Sequence, residues 1–168
     1  VLGQQVLMGK LNIPVIPAEE LAQLELSEYA RLRVEQTQQL APYGLPSNLD
    51  AWDGYPAARE RLFAMLRAHA SNPISLAGDT HNGWAFNLTN QKGEAVGVEW
   101  GTPGVSSPGL ERYVPLPPER MQALLKGASP ELVACDTSQR GWTHVTLTPK
   151  AAAAQWRFVS SVVEPTYQ

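Results

Sequence analysis

In "ISLAGDTHNGWAF", residues 74 to 86, an apolar run stops at Gly78 and an aspartate and a histidine follow two positions apart. In an extended chain, residues two apart point to the same side with Cα atoms roughly 6 to 7 Å apart, so Asp79 and His81 are placed to converge on one point. A carboxylate offers a hard oxygen and an imidazole a borderline nitrogen. That pairing suits zinc, iron or manganese, and the carboxylate also serves a harder ion such as calcium. Gly78 lets the backbone turn without a side chain in the way. From spacing alone a plainer reading is favoured, because a lone D-x-H arises often by chance: Asp79 caps a turn, and His81 is a satisfied surface or core histidine. Two ligands are fewer than a functional centre uses, and the further donors in this chain are His69, His144 and acids in loops.

Secondary structure must carry these residues. "NPISLAGD" reads as a buried strand, and "WAFNLTNQKGEAVGVEW" as two more strands joined by the turn "NQKGE". Sites in open α/β sheets gather beyond the carboxyl ends of strands, where Asp79 and His81 are expected to lie. Upstream, residues 1 to 8 predict a short strand, and Pro17 opens a helical region through "AEELAQLELSEYARLRVEQTQQL" with Leu21, Leu24, Tyr29 and Leu32 on its apolar side. "PAARERLFAMLRAHA" predicts a helix from Pro56 to about Ala70, with Ala58, Leu62, Met65, Leu66 and His69 on one face. "APYGLPSNLDAWDGYP" and "GTPGVSSPG" are irregular loops. A short helix, "PPERMQALLKG", is expected to end at Gly127, and strands follow in "PELVACD", "GWTHVTLTP" and "AQWRFVSSVV". The alternation of helix, strand and hairpin predicts an α/β layered fold without repeats or an internal domain boundary.

The 168 residues suit one domain, or a piece of a larger one. With 43% hydrophobic and 17% charged residues the composition is globular. The net charge of −3 comes without a Lys/Arg cluster interleaved with aromatics, which argues against nucleic acid as the main partner. No run approaches the roughly 20 apolar residues that span a bilayer, and no signal-peptide pattern is present. The sequence opens without methionine, inside an expected strand, as a segment cut from a longer chain would. The single Cys135, in "LVACD", reads as a buried thiol.

Four ordered stretches, "DAWDGYPAARERL", "LAGDTHNGWAFNL", "GVEWGTPGVSSPG" and "RGWTHVTLTPKAAAAQWRFV", resemble the C-terminal part of PhoD-type alkaline phosphatases, of the metallophosphoesterase superfamily. The resemblance runs from about residue 1 to about Val163 and implies that residues 1–168 are the C-terminal part of a single catalytic domain. It further implies an αββα sandwich with mixed sheets and flanking helices, a phosphomonoesterase or phosphodiesterase activity on phosphate esters, and export to the periplasm or medium. Iron and calcium are the cofactors it implies, other divalent metals being possible. Its GD-x-H element stands here as Asp79 and His81, which the resemblance makes catalytic metal ligands. The family's remaining ligands come from earlier in its chains, and Cys135 does not match the iron-binding cysteine, because it follows the GD-x-H element.

Three residues are secondary candidates. Asp53, in "WDGY", either forms an Asx-type turn before Gly54 or reaches the site. Asn82 either contacts substrate phosphate or serves the turn. Glu99 either accepts the second N–H of His81 or faces solvent from a strand. Ser106 and Ser107 lack a nucleophile-elbow frame, and Arg140 and Arg157 read as structural or surface residues. Against the enzyme reading stands a non-catalytic fragment or interaction module. Half of a sandwich would expose an apolar face, so a companion N-terminal fragment or homo-oligomerisation is expected.

Overall fold

The computed structural model describes residues 1–164. A five-stranded mixed sheet organises them, in the order β1-β2-β4-β3-β5. Strands β1 (Leu2–Gly3), β2 (Ile74–Ala77) and β4 (Ala95–Gly101) run parallel. Strand β3 (Gly83–Thr89) pairs antiparallel with β4 and with β5 (Leu132–Asp136). Strands β6 (Gly141–Leu147) and β7 (Ala152–Phe158) form a separate antiparallel hairpin. The helices are α1 (Ala18–Gln23), α2 (Glu28–Leu40), α3 (Pro56–His69) and α4 (Pro118–Ala128). The expected mixed α/β architecture with flanking helices is therefore present.

The strands from β2 onward follow the sequence patterns because their periodicity is local. On β3, Trp84, Phe86 and Leu88 point into the core and Asn87 points out, the two-residue period of a half-buried strand. Phe63 of α3, Met121 and Leu125 of α4, and Leu132 and Cys135 of β5 close over this face. The hairpin is held by Trp156, whose indole N–H donates to the Gly101 carbonyl at 3.2 Å. Its ring lies so close to Gly83 that a Cβ there would stand 2.9 Å from it.

Four expectations need correction. The helical region after Pro17 is broken at residues 24–27, because Ser27 caps a new helix by accepting the Ala30 N–H at 3.2 Å. Tyr29 and Leu32 are exposed, and Val34 is the buried residue of α2. Helix α3 has nearly its expected span, but Arg59 and Phe63 are buried, while Met65 and His69 are exposed. Helix α4 runs through Gly127 to Ala128.

The fourth correction concerns residues 1–8, of which only Leu2–Gly3 is strand. The segment beyond satisfies its backbone with buried side chains instead of a ladder. The Met8 and Gly9 amides donate to the Glu99 carboxylate at 2.8 to 2.9 Å, and the Lys10 amide donates to Glu131 at 3.1 Å. Arg59 holds the same segment from α3: its Nε donates to the Met8 carbonyl at 2.6 Å and its guanidinium pairs with Glu131 at 2.8 Å. The same guanidinium stacks over Phe63, 4.3 Å from the ring centroid.

Candidate metal centre

Asp79 and His81 do not extend β2. They sit in the turn between β2 and β3, and both take left-handed backbone, with φ of 68° and 61°. The Thr80 N–H donates to the Gly78 carbonyl at 2.8 Å, so Asp79 is the centre of a three-residue γ-turn with the φ of its rarer, strained form. A non-glycine residue in such backbone costs about 1–3 kcal/mol, and strain of this kind gathers at ligand clamps and active sites. Both side chains are exposed, whereas Asn82 and Trp84, next along the chain, are buried. The extended backbone expected at Asp79 and His81 is thus replaced by a turn.

Each side chain is held from a different part of the chain. Asp79 Oδ1 accepts from the Gln5 amide at 3.2 Å, and Gly78 donates its N–H to the Gln5 carbonyl at 2.9 Å. Asp79 Oδ2 has no hydrogen-bond partner among the described residues. His81 Nδ1 lies 3.0 Å from the Pro108 carbonyl oxygen, which can only accept, so Nδ1 is the donor in this contact and Nε2 is left outside it. The Gly104 N–H donates to the His81 carbonyl at 3.1 Å, which fixes the backbone of the turn against residues 102–109. An imidazole oriented through one nitrogen and open at the other has the arrangement of a metal ligand.

The secondary candidates fall elsewhere. Glu99 neither orients His81 nor faces solvent: it is fully buried and accepts from Met8, Gly9, Ser75 and Gln4. Burial pushes its carboxyl above the usual range, against the opposing pull of those donors. Asn82 serves the turn, donating to the Thr80 carbonyl at 2.6 Å and accepting the Leu110 N–H at 3.0 Å. Asp53 lies in a single 3₁₀ turn (Trp52–Gly54), where burial raises its pKa and its Oδ2 is enclosed without a partner among the described residues. Asp53 lines a small cleft together with Thr80 of the turn between β2 and β3. Arg140 is buried and pairs with Glu111, so it is structural, and His69 and His144 are exposed on α3 and β6.

The donor set can be tested against the metals implied. Asp79 and His81 offer one carboxylate and one imidazole, two donors where a metal site uses at least three. No group of three His, Cys, Asp or Glu side chains that could hold a metal occurs among the described residues. Pro108 and Gly104, which hold His81, were not singled out from the sequence; the available signal was the Gly- and Pro-rich composition of their loop. Behind the turn, a cavity of about 550 Å³ is lined by Thr80, Asn82 and Trp84 together with Ile16, Val34 and Met121. Within this lining the Trp84 indole donates to Thr80 Oγ1 at 2.6 Å.

Known proteins resemble this chain along nearly all of it. Alkaline phosphatase D of Bacillus subtilis (strain 168) is 28% identical over 123 residues, which is 70% of this chain and 20% of that protein. A solved structure described as "Structure of PhoD" superposes with a TM-score of 0.62 at 22% identity, over 99% of this chain and 27% of that one, a likeness of fold. This chain thus spans about a fifth of the curated relative's length. The model of the PhoD-like phosphatase family matches residues 1–156, and the chain belongs to that family.

Proposed function

We propose that this chain carries part of the metal site of a phosphate ester hydrolase and forms the C-terminal part of its catalytic domain. The observation that carries the reading is the strained turn on which Asp79 and His81 stand exposed, with His81 Nδ1 committed to Pro108 and Nε2 free. Family membership supports the reaction class, and the order of the four sequence stretches supports the placement. Iron and calcium are the proposed metals; held here, they would neutralise phosphoryl oxygens and activate water for in-line attack. The protein's own contribution is to orient. Pro108 keeps the imidazole in the ligating tautomer, Gln5 holds one carboxylate oxygen, and Trp84 and Asn82 brace the turn from behind.

With two donors contributed here, the remaining ligands would come from a companion segment, a role the expected N-terminal part or a second copy would fill. Export to the periplasm or medium belongs to the same proposal. The test is metal analysis by mass spectrometry beside hydrolysis of a chromogenic phosphomonoester, with and without added iron and calcium. In the complete catalytic domain, Asp79→Ala and His81→Ala are expected to abolish turnover and leave the fold intact. Wild-type turnover in either variant would overturn the assignment.

A further inference from the structure

Helix α2 buries Val34, and its stripe of Tyr29, Ala30, Arg33, Thr37 and Gln38 lines the cavity of about 550 Å³ behind the turn. Residues three and four apart share one helix face, so this stripe is the wall that α2 contributes. The other walls are apolar and buried: Ile13 and Ile16, Trp84 of β3, and Met121 and Leu125 of α4. The volume lies within the range of about 300–1,000 Å³ common to small-molecule sites.

Most polar groups of the lining are already used inside the protein. Gln38 accepts the Ile16 N–H at 2.7 Å and donates to the Pro14 carbonyl at 3.0 Å, which fastens α2 to residues 13–16. Asn82 is engaged at both ends, and the Thr80 hydroxyl accepts the Trp84 indole N–H. Arg33 differs. It is exposed at the rim, it is the one charged side chain of the lining, and its guanidinium has no hydrogen-bond or ion-pair partner among the described residues. A chain of net charge −3 thus presents an apolar hollow whose charged group is an arginine.

We propose that this cavity binds an anion with an apolar tail. The tail lies among Ile16, Trp84, Met121 and Leu125, and the head, a carboxylate or a phosphate monoester, meets Arg33. A guanidinium fork matches either head, and burial of the tail removes apolar surface from water. Every group in the site belongs to this chain, and Asp79 and His81 take no part in it.

The experiment is isothermal titration calorimetry of this chain with decanoate, decyl phosphate and uncharged decanol, each below the concentration at which it aggregates, beside thermal melting of every variant. Ala30→Trp fills the cavity from α2; Thr37→Phe does so from an exposed position and serves if Ala30→Trp fails to fold. The expected result is one equivalent of anion bound by the wild type and none by the filled variants. Arg33→Met should bind the anions about fivefold more weakly, the scale of an exposed ion pair, and decanol as tightly as the wild type. Tighter binding of decyl phosphate assigns the site to phosphate monoesters, and tighter binding of decanoate assigns it to carboxylates. The proposal is overturned by a wild type that binds neither anion, by unchanged binding in a folded filled variant, by unaltered anion affinity in Arg33→Met, or by a loss there that decanol shares.

Discussion

Gly109 lies against Asn82 so closely that a Cβ at position 109 would stand 2.2 Å from the Asn82 Oδ1. That oxygen accepts the Leu110 N–H, while the other end of the same amide donates to the Thr80 carbonyl inside the turn of Asp79 and His81. Asn82 is thus the bolt between residues 102–109 and the turn, and only a glycine leaves room for it.

Gly109→Ala therefore should expel the Asn82 amide and loosen the loop that carries Pro108. Overpacking of this kind costs about 1–3 kcal/mol, visible as a lowered melting temperature. The accompanying change is specific: ¹⁵N NMR of the His81 ring should show the Nδ1 resonance move as its hydrogen bond to the Pro108 carbonyl weakens.

The strain at Asp79 can be separated from its carboxylate by comparing two variants that both lack the carboxylate. At φ 68°, glycine is at ease and alanine is not. Asp79→Gly should be about 1–2 kcal/mol more stable than Asp79→Ala in urea unfolding, and both should fail to bind metal. Equal stabilities would mean that the turn relaxes once the carboxylate is gone.

Arg59 joins α3 to the clamped segment and is almost fully buried with Glu131. Arg59→Met keeps most of the stem and abandons the carboxylate without its cation. Leaving one member of a buried pair unpartnered costs about 3–5 kcal/mol, so the chemical-denaturation midpoint should fall steeply. Hydrogen exchange at the Met8, Gly9 and Lys10 amides should rise with it.

The pH dependence has a definite sign at Asp53. Its folded carboxyl titrates above the ordinary 3.8, chiefly through burial and against the fields of Arg59 and Lys10. The folded state therefore binds the proton more tightly than the unfolded chain, and the contribution of this group to stability is fully present below pH 3.8 and lost as pH rises through the raised value. Asp53→Asn removes the charge that is unfavourable at neutral pH and can keep the acceptor facing the Leu11 amide. It should raise the melting temperature at pH 7 and flatten the loss of stability above pH 4; a lowered melting temperature at pH 7 would show that the charged form is needed.

The local patterns were legible in the sequence. Helix α3, strands β2 to β7 and the "NQKGE" turn follow from periodicity and turn residues that act within a few positions of one another. Asp79 and His81 could be named as candidate ligands because residue type and spacing alone suggest the chemistry. Their backbone could not be read, since left-handed φ at two non-glycine positions is imposed by Gln5 on one side and by Gly104 and Pro108 on the other.

The tertiary structure decided the role of Glu99. From the sequence it reads as a strand residue within reach of His81, yet it serves Met8, 91 positions away, whose amide would otherwise be buried without an acceptor. The same long-range demand turns most of the expected first strand into an irregular clamp. Local propensity determines which elements form; which carboxylate goes inside is settled by backbone donors that only the folded chain brings to it.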